Sequence, residues 1–89
     1  MTSRTTERFR RAFAALPEHV QERARHAYRL FSSDSAHPSL RFKQVHATRP
    51  IFSARVGLGY RALAVSEGDV LLWFWIGTHA EYDQLLHQL

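Results

Sequence analysis

Between residues 35 and 66 the chain carries no aspartate or glutamate but five basic side chains, which are Arg41, Lys43, Arg49, Arg55 and Arg61. Eleven of its twelve basic residues are arginine, whose planar guanidinium group binds phosphate or carboxylate through paired hydrogen bonds. Beyond Arg61 all formal charges are acidic. This distribution predicts a cationic central region that binds RNA or another polyanion.

His79 is placed for a second kind of chemistry, proton transfer. Thr78 and Glu81 have the spacing of a capping box, which predicts that a C-terminal helix begins at His79. The first turn of a helix attracts anions and favours a neutral imidazole, so His79 could exchange a proton with a bound phosphate ester. The alternative is an ordinary exposed residue at a helix start. His37 and His46 are less specific candidates for the same chemistry.

Other kinds of active site find no support in the sequence. It lacks cysteine, a phosphate-binding glycine-rich loop and the HExxH and GxSxG motifs, so we expect neither a disulfide nor a cofactor. Glu22 and His26 lie four residues apart, but two ligands on an exposed helix face are usually solvated, and we expect no metal. Without a long apolar run, the chain is expected to be cytoplasmic and free of the membrane.

Two amphipathic helices are predicted before the basic region. Thr5 or Thr6 can cap the first, and Pro17 suits the first position of the second. Because so few residues separate the two segments, we expect a helical hairpin. Apolar residues recur at helical spacing in both: Phe9, Phe13 and Leu16 in the first, and Val20, Ala24, Ala27, Tyr28 and Phe31 in the second.

Four strands are predicted to follow, over residues 40–46, 51–56, 60–65 and 70–76. Short turns link them, which favours an antiparallel meander. The last strand is apolar at every position and should lie centrally with both faces covered. With a short closing helix, the sequence predicts one α+β domain, residues 1–89, in which an N-terminal helical hairpin packs on a four-stranded antiparallel sheet.

The alternation of side chains along these strands predicts where the cations lie. Arg41 and Lys43 alternate with apolar residues on the first strand, Arg55 lies on the second, and Arg61 opens the third. If the strands pair in order, these side chains converge on one face and form a phosphate-binding surface. The alternative is a solvated face whose arginines pair with Glu67 or Asp69.

Three segments together resemble one known family: LRFK at residues 40–43, ARVGLGYRAL at 54–63 and WIGTHAEYD at 75–83. Over residues 17–89 the chain is similar to the RelE/ParE superfamily, the toxins of type II toxin–antitoxin systems. The resemblance implies a helical hairpin on an antiparallel sheet. It also implies a cognate antitoxin that wraps the toxin. Operator DNA would be contacted only through that antitoxin.

In the RelE-like branch, the resemblance implies an endoribonuclease that cleaves messenger RNA on the ribosome without a metal. Such cleavage needs a base, a cation for the phosphate and an acid for the leaving oxygen. By resemblance, Lys43 would lie near the attacking hydroxyl, while Arg55 and Arg61 would hold the scissile and adjacent phosphates. His79 would assist the leaving group, and Tyr82 would stack on a base or take part in catalysis.

Two departures from the family pattern keep another function open. The family's first strand is not visible, because residues 1–7 are short and polar, so the predicted sheet lacks one edge strand. Glu81 and Asp83 lie close to His79 and would weaken phosphate binding there. The ParE-like branch, which inhibits DNA gyrase without chemistry, is therefore the alternative.

A third hypothesis is a DNA-binding module that uses the arginines of the helical hairpin, which are Arg8, Arg10, Arg11, Arg23 and Arg25. The tight junction at Leu16 and Pro17 disfavours it, because the helices of DNA-reading pairs cross at angles up to about 120°. It ranks below both toxin hypotheses.

Overall fold

A computed structural model describes residues 2–89 of the chain. Within them no helix is long and apolar enough to cross a membrane. The predicted α+β class is confirmed, and Thr6 and Thr78 cap the first and last helices. In chain order the elements are β1 (Thr2–Thr5), α1 (Glu7–Ala14), α2 (Glu18–Ser33), a 3₁₀ turn (Pro38–Leu40), β2 (Lys43–Gln44), β3 (Ile51–Val56), β4 (Tyr60–Glu67), β5 (Val70–Thr78) and α3 (His79–Gln88).

The sheet has five strands in the order β1-β5-β4-β3-β2, so the predicted four-stranded antiparallel sheet is corrected. β1 is parallel to β5, with Thr2 opposite Val70 and Thr5 opposite Trp73, while the other pairs are antiparallel. The edge strand that was not visible in the sequence is therefore present. No pattern in the sequence indicates this strand, because an edge strand is held by backbone hydrogen bonds to one neighbour and three of the four residues of β1 are exposed.

The strand predicted over residues 40–46 is mostly wrong. Leu40 ends the 3₁₀ turn and is buried in the core, and Arg41 follows in the left-handed region with a φ of 45°. Only Lys43–Gln44 pairs with β3. Arg41 consequently lies outside the sheet, and strand alternation does not direct its side chain to the face of Lys43.

β5 lies between β1 and β4 and is covered on both faces, as its continuous apolar sequence predicts. On one face, which we call the hairpin face, α1 and α2 pack over Ala54 and Ala62. On the other, which we call the α3 face, residues of α3 pack over Ile51 and Leu63. Residues 2–89 therefore form two small cores, one on each side of the sheet.

A β-bulge in β5 changes the alternation of its side chains. Leu63 pairs with Trp75 and Ala64 pairs with Trp73, so Phe74 lies between the two tryptophans without a partner on β4. Because of this additional residue, Trp73 packs on the hairpin face and Trp75 on the α3 face. The bulge also directs Gly77, two residues beyond Trp75, to the α3 face.

The two helices of the predicted hairpin contact different strands, α1 lying over β5 and α2 over β3. Residues 15–17 join them. Arg25 of α2 reaches across to α1, where its Cζ atom lies 5.3 Å from the centre of the Phe13 ring. The hairpin is thus open, and a groove separates its helices.

Candidate anion-binding site

Arg55 on β3 and Arg61 on β4 are directly opposite one another in the antiparallel ladder. Directly opposed residues point to the same face, and like charges in that position repel. Within residues 2–89 the one arginine that has a carboxylate partner is Arg11. The structure therefore does not form the pairing of sheet arginines with Glu67 or Asp69 that the sequence left as an alternative.

Arg61 lies against the ring of Tyr82 on the α3 face, with its Cζ atom 5.5 Å from the ring centre. Its Nη1 atom is buried and, among the residues described, has no hydrogen-bond partner. Arg55 is better satisfied, since its Nε–H donates to the carbonyl oxygen of Gly57 at 3.1 Å. Both side chains are partly exposed and neither guanidinium group has a carboxylate partner, so the accessible N–H groups of the arginine pair can bind an anion.

Tyr82 belongs to the core of the α3 face and is only 5% exposed. Its hydroxyl donates to Oγ of Ser53 on β3 at 3.3 Å, and Ser53 is completely buried. This bond holds the ring against Arg61. Tyr82 was predicted as a site residue from the sequence and Ser53 was not, although a serine at an inward position between Ile51 and Arg55 was an available signal.

Lys43 extends the arginine pair by one strand. It lies opposite Ser53, hence on the α3 face and diagonal to Arg55. We call Lys43, Arg55 and Arg61 the basic row, because β2, β3 and β4 contribute one residue each. Neighbouring strands are about 4.8 Å apart, so these long side chains can reach a common ligand.

His79 lies at the end of the next strand, where β5 passes into α3. Its backbone N–H donates to the carbonyl oxygen of Gly59 at 2.8 Å and ties α3 to the β3–β4 turn. Its ring meets Tyr82 edge-on with 5.6 Å between centres, and its Nδ1 lies 3.2 Å from Oδ2 of Asp83. Because a carboxylate accepts, Nδ1 carries the proton of this contact, which leaves Nε2 to exchange a proton with a ligand.

The capping box at the start of α3 forms as predicted. The Glu81 N–H donates to Oγ1 of Thr78 at 3.1 Å, while the N–H and the hydroxyl of Thr78 both donate to Glu81 Oε1 at 2.9 Å. These two hydrogen bonds to the carboxylate hold the pKa of Glu81 below its ordinary value of 4.5, and the bond from the Thr78 N–H has the larger effect. The box sets the direction in which α3 leaves the sheet.

Gly77 is the direct neighbour of Arg61 on β5. A Cβ atom there would come within 2.6 Å of the Trp75 ring and 2.9 Å of the Glu81 carboxylate. The absence of a side chain therefore lets the indole and the capping carboxylate approach the backbone beside the basic row. This role of Gly77 was not predicted from the sequence.

A family model for the ParE-like toxin domain matches residues 18–84 of the 89-residue chain. The chain belongs to the ParE-like toxin family. The matched segment of this ParE-like domain includes the basic row, His79 and Tyr82. No protein with a curated description matches the sequence.

Solved structures have the same fold as this ParE-like domain. A chain of the RelB–RelE antitoxin–toxin complex from Methanococcus jannaschii has a TM-score of 0.71 and 17% identity, covering 91% of this chain and 95% of that chain. YafQ from E. coli has a TM-score of 0.70 and 9% identity, covering 90% and 94%. A chain of the intact E. coli RelBE toxin–antitoxin complex has a TM-score of 0.64 and 12% identity, covering 86% and 94%.

The α3 face of the ParE-like domain thus carries Lys43, Arg55, Arg61 and Tyr82, and His79 contacts the Tyr82 ring at the start of α3, whereas the other candidates lie elsewhere. Arg41 stays outside the sheet, and the candidate histidines His37 and His46 hold turns in the loops before β3. His37 Nδ1 accepts an N–H in the 3₁₀ turn, and His46 Nδ1 accepts two N–H groups of its own loop. Among residues 2–89, no three His, Asp or Glu side chains lie close enough together to hold a metal ion.

Proposed function

We propose that this ParE-like domain is the toxin of a type II toxin–antitoxin pair and that it cleaves messenger RNA on the ribosome without a metal. The opposition of Arg55 and Arg61 carries the proposal, because two adjacent guanidinium groups without a carboxylate partner suit a phosphate. The solved RelB–RelE and RelBE structures, which are toxin–antitoxin complexes, support a cognate antitoxin as partner. Contact with operator DNA would be made through that antitoxin.

Metal-free cleavage of RNA uses a 2′-hydroxyl to attack the adjacent phosphorus and displace the 5′-oxygen of the next nucleotide. The phosphate gains negative charge in the transition state, and the arginine pair would stabilise that charge. Lys43 and His79 lie on opposite sides of the pair, on β2 and at the end of β5, as the base and the acid of such a displacement would. The amine form of Lys43 would accept the proton of the attacking 2′-hydroxyl, and the imidazolium form of His79 would donate its Nε2 proton to the leaving 5′-oxygen.

The resemblance implies that Tyr82 stacks on a base or takes part in catalysis, but its surroundings in the structure suit a positioning role. Its ring is buried and its hydroxyl bonds to Ser53, which leaves neither free to contact a base or the reacting phosphate. Both Arg61 and His79 contact the ring. We therefore assign Tyr82 the role of positioning these two side chains.

A ParE-like inhibitor of DNA gyrase is the second candidate function, and the match to the ParE-like family model favours it. In that function the basic row would bind carboxylates of a protein surface in place of RNA phosphates. His79 would be dispensable for chemistry, and its contact with Asp83 would serve only to hold the first turn of α3.

Controlled expression in a bacterium separates the two functions. Incorporation of labelled amino acid and of labelled thymidine is followed in parallel over the first minutes. If amino-acid incorporation falls first, and the purified domain cleaves messenger RNA on programmed ribosomes, the ribonuclease proposal is supported. If thymidine incorporation falls first and no cleavage is found, gyrase is the target and the chemical roles of Lys43 and His79 are withdrawn.

Variants test the assigned roles in the same assays. We expect Arg61→Ala and His79→Ala to lose roughly 100-fold or more of the cleavage rate, since each removes one group that acts on the transition state. Arg8→Ala, an exposed arginine of α1, is the matched control and should cleave normally. Unchanged cleavage in both folded site variants would remove the basis of the proposal.

A further inference from the structure

His79 and Asp83 form the one close contact between an imidazole and a carboxylate within residues 2–89. Nδ1 of His79 lies 3.2 Å from Oδ2 of Asp83, and the two side chains lie on the same side of α3, because residues four apart in a helix share a face. The imidazole is 51% exposed and the carboxylate 58%. Asp83 thus occupies one ring nitrogen of an accessible histidine and leaves the other, Nε2, to a ligand.

Glu81, the other acid of this turn, does not compete for the imidazole. Its Oε1 accepts hydrogen bonds from the N–H and the hydroxyl of Thr78, so its charge serves the cap of α3. Asp83 has no such bond, and among residues 2–89 no lysine or arginine lies within 4 Å of its carboxylate. The two acids beside His79 therefore have separate partners, the start of the helix for Glu81 and the imidazole for Asp83.

Two contacts hold the His79 ring, and each restricts it in a different way. The ring of Tyr82, which is itself buried, meets the imidazole edge-on with an angle of 73° between the planes. This contact restricts the plane of the imidazole. A half-turn of the ring within that plane would keep the contact with Tyr82 but exchange Nδ1 with a ring carbon. The bond to Asp83 distinguishes these two orientations and so determines where Nε2 lies.

The proposed cleavage needs His79 as a positively charged acid, and the position of His79 on α3 opposes that charge. His79 is the first residue of the helix, where the unpaired backbone N–H groups carry partial positive charge. The carboxylate of Asp83 brings a negative charge to hydrogen-bond distance of Nδ1. Asp83 therefore compensates, at the ring itself, for the charge of the helix start.

We propose that Asp83 is a positioning residue for RNA cleavage, because it holds the His79 imidazolium with Nε2 available to the leaving oxygen. This role rests on the proposed function and deepens it. The 2′-oxygen bonds to phosphorus while the bond from phosphorus to the 5′-oxygen breaks, which gives a 2′,3′-cyclic phosphate and a 5′-hydroxyl. Lys43 takes the proton of the 2′-hydroxyl, and the 5′-oxygen takes the Nε2 proton. The Nδ1 proton stays in the bond to Asp83, whose own protonation does not change.

Two other roles of Asp83 predict different results. As an ordinary exposed pair at positions i and i+4, the contact would add a little to the stability of α3 and nothing to the reaction. As an unpaired negative charge near the basic row, Asp83 would only repel RNA, which is the effect expected from the sequence. The carboxylate is at Nδ1, however, and Nδ1 and Nε2 lie on different edges of the ring. The geometry thus favours a carboxylate that acts through His79.

Asp83→Ala tests this role in the ribosome cleavage assay. We expect kcat to fall roughly tenfold to 100-fold, which is part of the contribution of a general acid, while KM stays the same or falls. Asp83→Glu, which keeps a carboxylate within reach of Nδ1, should recover most of the rate. Asp69→Ala removes an exposed acid at the opposite end of β5 and is the matched control. An unchanged kcat in folded Asp83→Ala, or a loss confined to KM, would overturn the proposal.

A messenger RNA with sulfur in place of the 5′-oxygen at the cleaved position separates the acid step from folding and RNA binding. A thiolate is stable enough to leave without a proton, so this substrate does not need an acid. Asp83→Ala and His79→Ala should therefore cleave it within a few-fold of the rate of the unsubstituted protein, whereas Arg61→Ala should remain slow. Equal losses of Asp83→Ala on the oxygen and sulfur substrates would show that Asp83 does not act through His79.

Nitrogen NMR of the His79 ring measures the contact without a substrate. In the unsubstituted protein the neutral ring should carry its proton on Nδ1, and in Asp83→Ala the proton should move to Nε2. A proton on Nε2 of the unsubstituted protein would overturn the role of Asp83 whatever the activity. The two proposals also fail separately. If the unsubstituted protein does not cleave RNA, the proposed function falls together with this role, and if Asp83→Ala cleaves RNA equally well, only the role of Asp83 is refuted.

Discussion

The hydroxyl of Tyr82 donates a hydrogen bond to the buried Oγ of Ser53, and this bond joins α3 to β3 directly beneath the basic row. The Tyr82 ring contacts the Arg61 guanidinium and the His79 imidazole, so one buried residue sets the relative positions of two proposed functional groups. The hydroxyl and the ring therefore have separable effects on stability and on activity.

Tyr82→Phe removes the hydroxyl and retains the ring. We expect the free energy of unfolding to fall by about 1–2 kcal/mol, because Ser53 loses its partner in a buried position. Cleavage should remain within a few-fold of the unsubstituted protein. Tyr82→Ala removes the ring as well and should cost roughly 3–5 kcal/mol, with loss of cleavage. Urea unfolding measures the stability of each variant, and the ribosome assay measures its cleavage rate. Loss of cleavage in folded Tyr82→Phe would show that the hydroxyl takes part in the chemistry.

The arginine pair should make RNA binding depend on salt. For the unsubstituted domain, we expect the affinity for a fluorescent single-stranded RNA to fall as the salt concentration rises. Removing one phosphate contact by Arg61→Ala should reduce the slope of log K against log salt by about 0.7. Arg8→Ala should leave the slope unchanged. Equal slopes for all three proteins would mean that Arg61 does not contact a phosphate.

Glu81 should contribute to stability in a manner that depends on pH. Folding lowers the pKa of this carboxyl, so its contribution is fully present above its ordinary value of 4.5 and is lost as the pH falls through the lower value of the folded state. At pH 7, Glu81→Gln should reduce the free energy of unfolding by roughly 0.3–1 kcal/mol, because the charged cap of α3 is lost. In thermal unfolding at a series of pH values from neutral to acid, the stability of the unsubstituted protein should approach that of Glu81→Gln as the pH falls. Glu22→Gln, on the exposed surface of α2, should show no such convergence.

Gly77→Ala should destabilise the protein, since the added methyl group meets the Trp75 ring and the Glu81 carboxylate. We expect a loss of about 1–3 kcal/mol, typical of overpacking in a closed site. Combining it with Trp75→Leu tests the cause, because a smaller neighbour should recover part of the loss in a double-mutant cycle. Strict additivity of the two losses would mean that the Trp75 contact is not the reason for the glycine.

The helices and three of the strands were predictable because local signals specify them. Thr6 and Thr78 satisfy N–H groups in their own first turns, and the apolar run of β5 can only be buried on both faces. Strand alternation and short turns likewise sufficed to predict that Arg55 and Arg61 share a face. These features depend on residues that are neighbours in sequence or across a tight turn.

The remaining features depend on contacts between distant parts of the chain. β1 is a polar tetrapeptide that becomes a strand only because the edge of β5 accepts its backbone hydrogen bonds. Tyr82 and Ser53 are 29 residues apart, and neither residue type indicates that their hydroxyl groups meet in the core. The separation of α1 from α2 follows from the strands on which each helix lies.

The sequence by itself therefore determined the α+β class, the helix caps, the central position of β5 and the facing arginines, since periodicity and short-range hydrogen bonding encode these features. Only the tertiary structure decided the parallel edge strand, the exclusion of Arg41 from the sheet, the burial of Tyr82 against Ser53 and the groove between α1 and α2. Each of these depends on which surfaces meet when the chain folds, and a local pattern of residue types does not specify its distant partner.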